Sequence, residues 1–64
     1  MDINKLKLGD IVDAHIEGQP TQRVMVTRIY LGTEVIDGID CNGYEYEVNP
    51  ENEIESVIAN INEL

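Results

Sequence analysis

Apolar and polar residues alternate in two segments of the first half of the chain, as they do in β-strands with one buried face. In the segment Ile11–Ile16, positions 12, 14 and 16 are apolar and share one face. In the segment Gln22–Leu31, Val24 and Val26 share a face. The intervening residues 17–21 include a glycine and a proline, which indicate a loop. The pattern therefore predicts two strands joined by that loop.

The apolar positions of the second strand change parity towards its end. In a regular strand, Ile29 and Leu31 would face away from the two valines. One extra residue near Thr27 or Arg28, a β-bulge, would return both side chains to the core. A third strand is predicted over Thr33–Cys41, after a glycine that ends the second.

The dipeptide Asn42-Gly43 predicts a β-hairpin with a two-residue turn of type I′, in which both turn residues have positive φ. The cross-strand pairs predicted from this turn are Cys41 with Tyr44, Asp40 with Glu45, Ile39 with Tyr46, and Gly38 with Glu47. The residues predicted to face the core are Ile39, Cys41, Tyr44, Tyr46 and Val48. On the opposite face this register brings together the carboxylates of Asp40, Glu45 and Glu47.

Length and composition limit the chain to one small domain, which we predict to span residues 1–64. Its 64 residues are 42% hydrophobic, enough for one core, and that core must be aliphatic because Trp and Phe are absent. Cys41 is the only cysteine, so no disulfide forms within the chain. The sequence contains no signal-peptide pattern and no long apolar run. We predict a cytoplasmic location, in a bacterial cell or an infected host cell.

Negative charge is confined to the second half of the chain. Up to Arg28, four acids balance four bases, whereas Ile29–Leu64 contains nine acids and no Lys or Arg. The formal net charge of −9 therefore belongs to that second half. Such a charge repels phosphate backbones and attracts basic surfaces, so we predict no direct nucleic-acid binding. No apolar run is long enough to span a membrane, so we predict no membrane partner.

Several segments resemble small SH3-like barrel proteins of bacteria, phages and prophages. They are Leu6–Val12, Val24–Ile29, and Tyr46–Val48 followed by Pro50–Glu51 and Ile54–Glu55. The resemblance covers about residues 6–58 and implies a mainly β fold, a small five-stranded SH3-like barrel. It specifies architecture and no activity. The chain lacks the basic loops of nucleic-acid-binding members of this fold.

The C-terminal segment has two interpretations. Helical spacing of its apolar residues, with Asn49 and Pro50 as a cap and first turn, predicts an amphipathic helix over residues 50–64 after a four-stranded antiparallel meander. The resemblance instead implies a single 3₁₀-like turn over Pro50–Glu53 and a closing fifth strand over Ile54–Ile58. We favour the strand and keep the helix as the alternative.

Candidate sites for chemistry are few. Asp40, Glu45 and Glu47 offer oxygen ligands to Ca²⁺, but the sequence lacks the spaced loop of a dedicated calcium site, so we predict no metal. His15, Cys41 and Ser56 are the only residues of their types. A catalytic group would require them to converge from distant strands. We predict no enzymatic activity and no cofactor.

The acids of the second half determine the predicted function. We predict a non-catalytic acidic protein-interaction module that binds a basic protein surface. The predicted contact residues are Asp40, Glu45, Glu47, Glu51, Glu53 and Glu55. The alternatives are a phage or mobile-element inhibitor that acts as a nucleic-acid mimic, and a structural component of a phage or mobile-element assembly. Acidity that serves solubility alone and a homo-oligomer also stay open.

Overall fold

Five antiparallel strands form one sheet in the computed structural model, which describes residues 1–64. The strands are β1 (Asp10–Ala14), β2 (Gln22–Tyr30), β3 (Val35–Ile39), β4 (Glu45–Val48) and β5 (Ile54–Asn60), in the spatial order β4-β3-β2-β1-β5. A four-residue helix, α1 (Pro50–Glu53), joins the two edge strands, and 3₁₀ turns lie at Ile3–Lys5 and Ile61–Glu63. The predicted mainly β fold with five strands is confirmed. The sheet is open, so the SH3-like barrel predicted from the resemblance is not confirmed.

One face of the sheet forms the core. Every strand contributes at least one buried apolar side chain, and the N-terminal segment adds two. The core residues are Ile3, Leu6, Val12, Ala14, Val24, Val26, Ile36, Val48 and Ile54. The inward positions predicted for β1 and β2 are confirmed. Since both edge strands contribute to the same cluster, the sheet must bend strongly around it.

The predicted β-bulge lies in β2. Val26 pairs with Gly38 and Arg28 pairs with Asp37, so Thr27 is the extra residue. Its hydroxyl donates to the Asp37 carbonyl at 3.2 Å. The bulge turns Ile29 inward against the core, as predicted. The prediction for Leu31 is wrong, because this residue lies beyond the end of β2 and its side chain is 61% exposed.

The C-terminal segment forms a strand, so the alternative of a helix over residues 50–64 is wrong. Helix α1 is a single turn that ends where the Ile54 N–H donates to the Pro50 carbonyl. In β5, Ile54 pairs with Ala14 and Val57 pairs with Val12, with a register shift between the two pairs. The extra residue lets two side chains three positions apart share the inward face. The bulge therefore gives the inward apolar residues of this strand the sequence spacing that is typical of a helix.

Candidate protein-binding surface

The β3–β4 turn has three loop residues, one more than its sequence predicts. The Gly43 N–H donates to the Asp40 carbonyl at 3.1 Å, and the Asp40 N–H donates to the Tyr44 carbonyl at 2.9 Å. Gly43 has φ of 87°, whereas Asn42 has no positive φ. This is the geometry of a type I turn followed by a G1 bulge. The predicted type I′ turn is wrong.

The longer turn shifts the hairpin by one residue. Ile39 pairs with Glu45, Gly38 with Tyr46, Asp37 with Glu47 and Ile36 with Val48, so the four predicted pairs are wrong. A shift of one residue exchanges the two faces of a strand. The exchange affects β3: Ile36 and Gly38 face the core, while Ile39 does not. Tyr46 and Val48 face the core as predicted, but Cys41 and Tyr44 are exposed.

Asp40 is consequently separated from Glu45 and Glu47, and its carboxylate has a structural role. One oxygen, Oδ1, accepts the backbone N–H groups of Asn42 and Tyr44, each at 2.9 Å. The other, Oδ2, accepts the Tyr46 hydroxyl at 3.0 Å. Desolvation raises the pKa of the Asp40 carboxyl, but these hydrogen bonds outweigh it and hold the pKa below its ordinary value. The hydrogen bond to the Asp40 carboxylate raises the pKa of the Tyr46 hydroxyl. Asp40 is therefore a turn-stabilising residue.

Asp37 takes the place of Asp40 on the outward face. Asp37 and Glu47 are a cross-strand pair, and Glu45 lies two residues from Glu47 on the same side of β4. We call these three residues, Asp37, Glu45 and Glu47, the acidic face. The Tyr30 hydroxyl donates to Asp37 Oδ2 at 3.0 Å, whereas the carboxylates of Glu45 and Glu47 have no hydrogen-bond or ion-pair partner. Two fully available carboxylates thus lie at the β4 edge of the sheet.

Arg28 is the base nearest to the acidic face, because it pairs with Asp37 across the β2–β3 ladder. The pKa of its guanidinium is raised, first by the Tyr30 hydroxyl and then by the charges of Asp37 and Glu45. No carboxylate lies within ion-pair distance of it. One base beside three acids leaves the acidic face with a net negative charge.

The other predicted contact residues lie elsewhere and differ in availability. Glu53 is half-buried, and its Oε1 accepts the Asn49 N–H at 2.7 Å, which caps α1. Glu51 is exposed beside a cleft of about 350 Å³ whose other lining residues are Met1, Asp2, Ile3 and Glu34. Glu55 is exposed in β5. Of the six predicted contacts, Asp40 and Glu53 therefore have carboxylates that already accept backbone hydrogen bonds, and the other four do not.

The ion pairs of the molecule leave most of its acids unpaired. Lys7 Nζ contacts Glu63 Oε1 at 2.7 Å, and Arg23 Nε contacts Asp13 Oδ1 at 2.9 Å. These contacts raise the pKa of Lys7 and lower that of Asp13. The second half retains five carboxylates with neither a hydrogen bond nor an ion pair: Glu34, Glu45, Glu47, Glu51 and Glu55.

The residues considered for chemistry have structural or solvent-exposed environments. His15 Nδ1 lies 3.0 Å from Thr21 Oγ1, a contact across the β1–β2 loop. Cys41 is exposed in the β3–β4 turn, and Ser56 is exposed in β5. No group of three or more His, Cys, Asp or Glu side chains is arranged to hold a metal ion. The absence of catalysis stays a prediction.

One buried polar pair was not predicted. Asp10 and Asn60 are 1% and 5% exposed, and Asn60 Nδ2 donates to Asp10 Oδ1 at 2.8 Å. Asp10 Oδ2 accepts the Lys7 N–H at 2.9 Å, and Asn60 Oδ1 accepts the Asn62 N–H at 2.7 Å. The pair joins the start of β1 to the end of β5. Only the pairing of strands far apart in sequence brings them together, so no local pattern indicates it.

The chain matches no protein-family model, no curated protein and no solved structure. None of its helices has the length and apolar character needed to cross a membrane.

Proposed function

We propose that the protein is a non-catalytic binding module whose acidic face docks on a basic surface of a partner protein. The main support is the set of five carboxylates without internal partners, in a half of the chain that has no Lys or Arg. Unpaired surface carboxylates produce a negative potential that attracts and orients basic partners. Once docked, they form charge-assisted hydrogen bonds with Arg or Lys.

Glu45 and Glu47 are the principal contacts in this proposal, with Glu51 and Glu55 as peripheral ones. Glu45 and Glu47 are exposed, and their carboxylates make no hydrogen bond within the protein. The regular β3–β4 ladder holds both residues, so their spacing is fixed before binding. A preorganised pair loses less conformational entropy on binding than two flexible side chains. Asp40 and Glu53 are excluded from the contact set because their carboxylates already accept backbone hydrogen bonds.

We also infer that the fold is an open variant of the SH3-like barrel. The strand order, the bulged second strand and the helical turn before the last strand support this assignment. The fold defines the surface and implies no activity of its own.

A pair of charge-reversal variants tests the proposal. Glu47→Lys changes the acidic face, whereas Glu17→Lys makes the same change in net charge at an exposed residue of the β1–β2 loop. We expect affinity capture from the native cell with the wild-type protein to recover a partner with a basic surface. Glu47→Lys should lose that partner and Glu17→Lys should retain it. Equal weakening by both variants would show that only total charge matters, and would refute a docked face.

Salt and competition separate this function from its alternatives. Binding through the acidic face should weaken as salt rises from low to moderate concentration. Competition between this protein and nucleic acid for the captured partner would favour the nucleic-acid mimic. Co-purification in a fixed stoichiometry that is insensitive to salt would favour a structural component of an assembly.

A further inference from the structure

The two edges of the sheet differ in regularity. Strand β5 has two register shifts against β1, between residues 11 and 12 and between residues 12 and 14 of the partner strand. Bulges twist an edge and hinder the addition of another strand. Strand β4 pairs with β3 over four consecutive residues without a shift. Only the β4 edge is therefore regular enough to template a new strand.

The backbone of β4 presents its unpaired groups at the two glutamates. Hydrogen-bonded and non-hydrogen-bonded pairs alternate along an antiparallel ladder. Because the Asp40 N–H donates to the Tyr44 carbonyl, the bonded positions of this ladder are 44, 46 and 48. The N–H and C=O groups of Glu45 and Glu47 therefore point away from β3, to the open edge. None of the backbone hydrogen bonds outside the regular ladders and helices uses them.

We propose that the open edge of β4 takes up an extended basic segment of the partner protein as a sixth strand, with Lys or Arg opposite Glu45 and Glu47. This inference rests on the proposed function and specifies the conformation of what binds there. The same two residues supply two backbone donors, two backbone acceptors and two free carboxylates, so one extended chain satisfies all of them. Strand addition of this kind derives affinity from main-chain bonds and specificity from alternate side chains.

The spacing of the two carboxylates matches that of an extended ligand. Residues two apart in a strand share a face and lie about 6.8 Å apart. An added antiparallel strand places its own residues at the same spacing, so two bases separated by one residue meet both glutamates. A helix can present bases three or four residues apart at a similar distance. Its backbone N–H and C=O groups are bonded within the helix, however, so it would leave the open backbone groups of β4 without partners.

Charge argues against a second copy of the chain as the occupant. Pairing β4 with another β4 would bring Glu45 and Glu47 of both copies together along one edge. Like charges that face each other across a ladder are destabilising. Each copy also has a net charge of −9, which opposes the approach of another.

Backbone-methylated peptides test strand addition separately from charge. The parent probe is a short synthetic peptide in which two Lys residues alternate with Thr. In one variant both Lys residues are N-methylated, which removes the two N–H groups that would donate to β4. In the matched control the Thr residues are N-methylated instead. In the parent peptide the Thr N–H groups point away from β4, so their loss removes no hydrogen bond to it. All three peptides have the same charge.

Binding is measured by titrating the ¹⁵N-labelled protein and following its amide resonances. We expect the shifts to concentrate at Glu45–Val48, and the Lys-methylated peptide to bind at least tenfold more weakly than the parent. That factor corresponds to about 1.4 kcal/mol, a reasonable loss for two hydrogen bonds. The Thr-methylated control should bind within a small factor of the parent.

The outcomes distinguish the two proposals. Equal binding of all three peptides, abolished by Glu47→Lys and retained in Glu17→Lys, would overturn strand addition while supporting an acidic docking face. Binding of none of the peptides would overturn strand addition, whereas the acidic docking face is tested separately by the capture experiment with Glu47→Lys and Glu17→Lys. Shifts confined to Glu51 and Glu55 would overturn strand addition at β4.

Discussion

Replacing Asn42 and Gly43 of the β3–β4 turn in separate variants tests the register that places Asp37 on the acidic face. The type I turn with a G1 bulge needs positive φ only at Gly43, whereas a type I′ turn needs it at Asn42 as well. Gly43→Ala and Asn42→Ala therefore have different costs in the first geometry and similar costs in the second.

The cost of Gly43→Ala comes from the backbone alone, since a Cβ added there meets no atom within 4 Å. Holding a non-glycine residue in the left-handed region costs roughly 1–2 kcal/mol. The smaller conformational entropy of the unfolded alanine chain offsets about 0.4–1 kcal/mol of that. We expect a net loss of about 0.5–1 kcal/mol, or roughly 2–8 °C in Tm for a domain of this size.

Asn42→Ala removes a side chain that makes no hydrogen bond and leaves φ negative, so it should change stability by less than about 0.5 kcal/mol. Thermal unfolding followed by far-ultraviolet circular dichroism measures both variants. Gly43→Asn is a further control, because asparagine tolerates positive φ, and it should recover part of the loss. If Asn42→Ala costs as much as Gly43→Ala, the turn has two residues with positive φ, and the register that places Asp37 on the acidic face is wrong.

Three other features give measurable expectations. A Cβ at Gly38 would lie 2.6 Å from Val24 Cγ2, so Gly38→Ala should cost about 1–3 kcal/mol of unfolding free energy. In a double-mutant cycle with Val24→Ala, removal of the valine methyl groups should recover part of this loss. Asn60→Ala should cost about 1–3 kcal/mol in denaturant unfolding, since it leaves buried Asp10 Oδ1 without its side-chain donor. The pKa of Asp40 is lowered in the folded protein, so the ionised carboxylate stabilises the fold at pH values above its ordinary pKa of 3.8. This contribution disappears as the pH falls through the lowered pKa. Asp40→Asn should therefore unfold at a lower temperature than the wild type at neutral pH, and the difference should close in acid; a constant difference would contradict this role.

Local sequence patterns predicted the positions of the strands better than the register in which the strands pair. The apolar positions of β1 and β2 and the bulge at Thr27 follow from alternation, because each depends on residues close together in the chain. The Asn42-Gly43 dipeptide located the hairpin correctly but fitted two turn geometries. The choice between them involves the Asp40 carboxylate, which accepts the N–H groups of Asn42 and Tyr44 and the hydroxyl of Tyr46.

The C-terminal strand shows a second limit of prediction from local sequence patterns. Its inward residues are spaced as in a helix because bulges add residues, and those bulges exist only in pairing with β1. The charge asymmetry, in contrast, was fully visible in the sequence. Which carboxylates are free was not, since Asp40 and Glu53 accept backbone hydrogen bonds that only the fold brings to them.

Solubility and binding need not be competing explanations of Glu45 and Glu47. An open, regular strand edge invites pairing with other copies of the same chain, and charged side chains on that edge are a common protection against it. Neutral residues at these two positions would leave the β4 edge regular and unprotected. The same two charges favour an added strand that has bases at the matching positions. Under the proposed function, protection against self-association and selection of a basic strand therefore follow from one arrangement, because the charges that repel a second copy of the chain attract a basic strand.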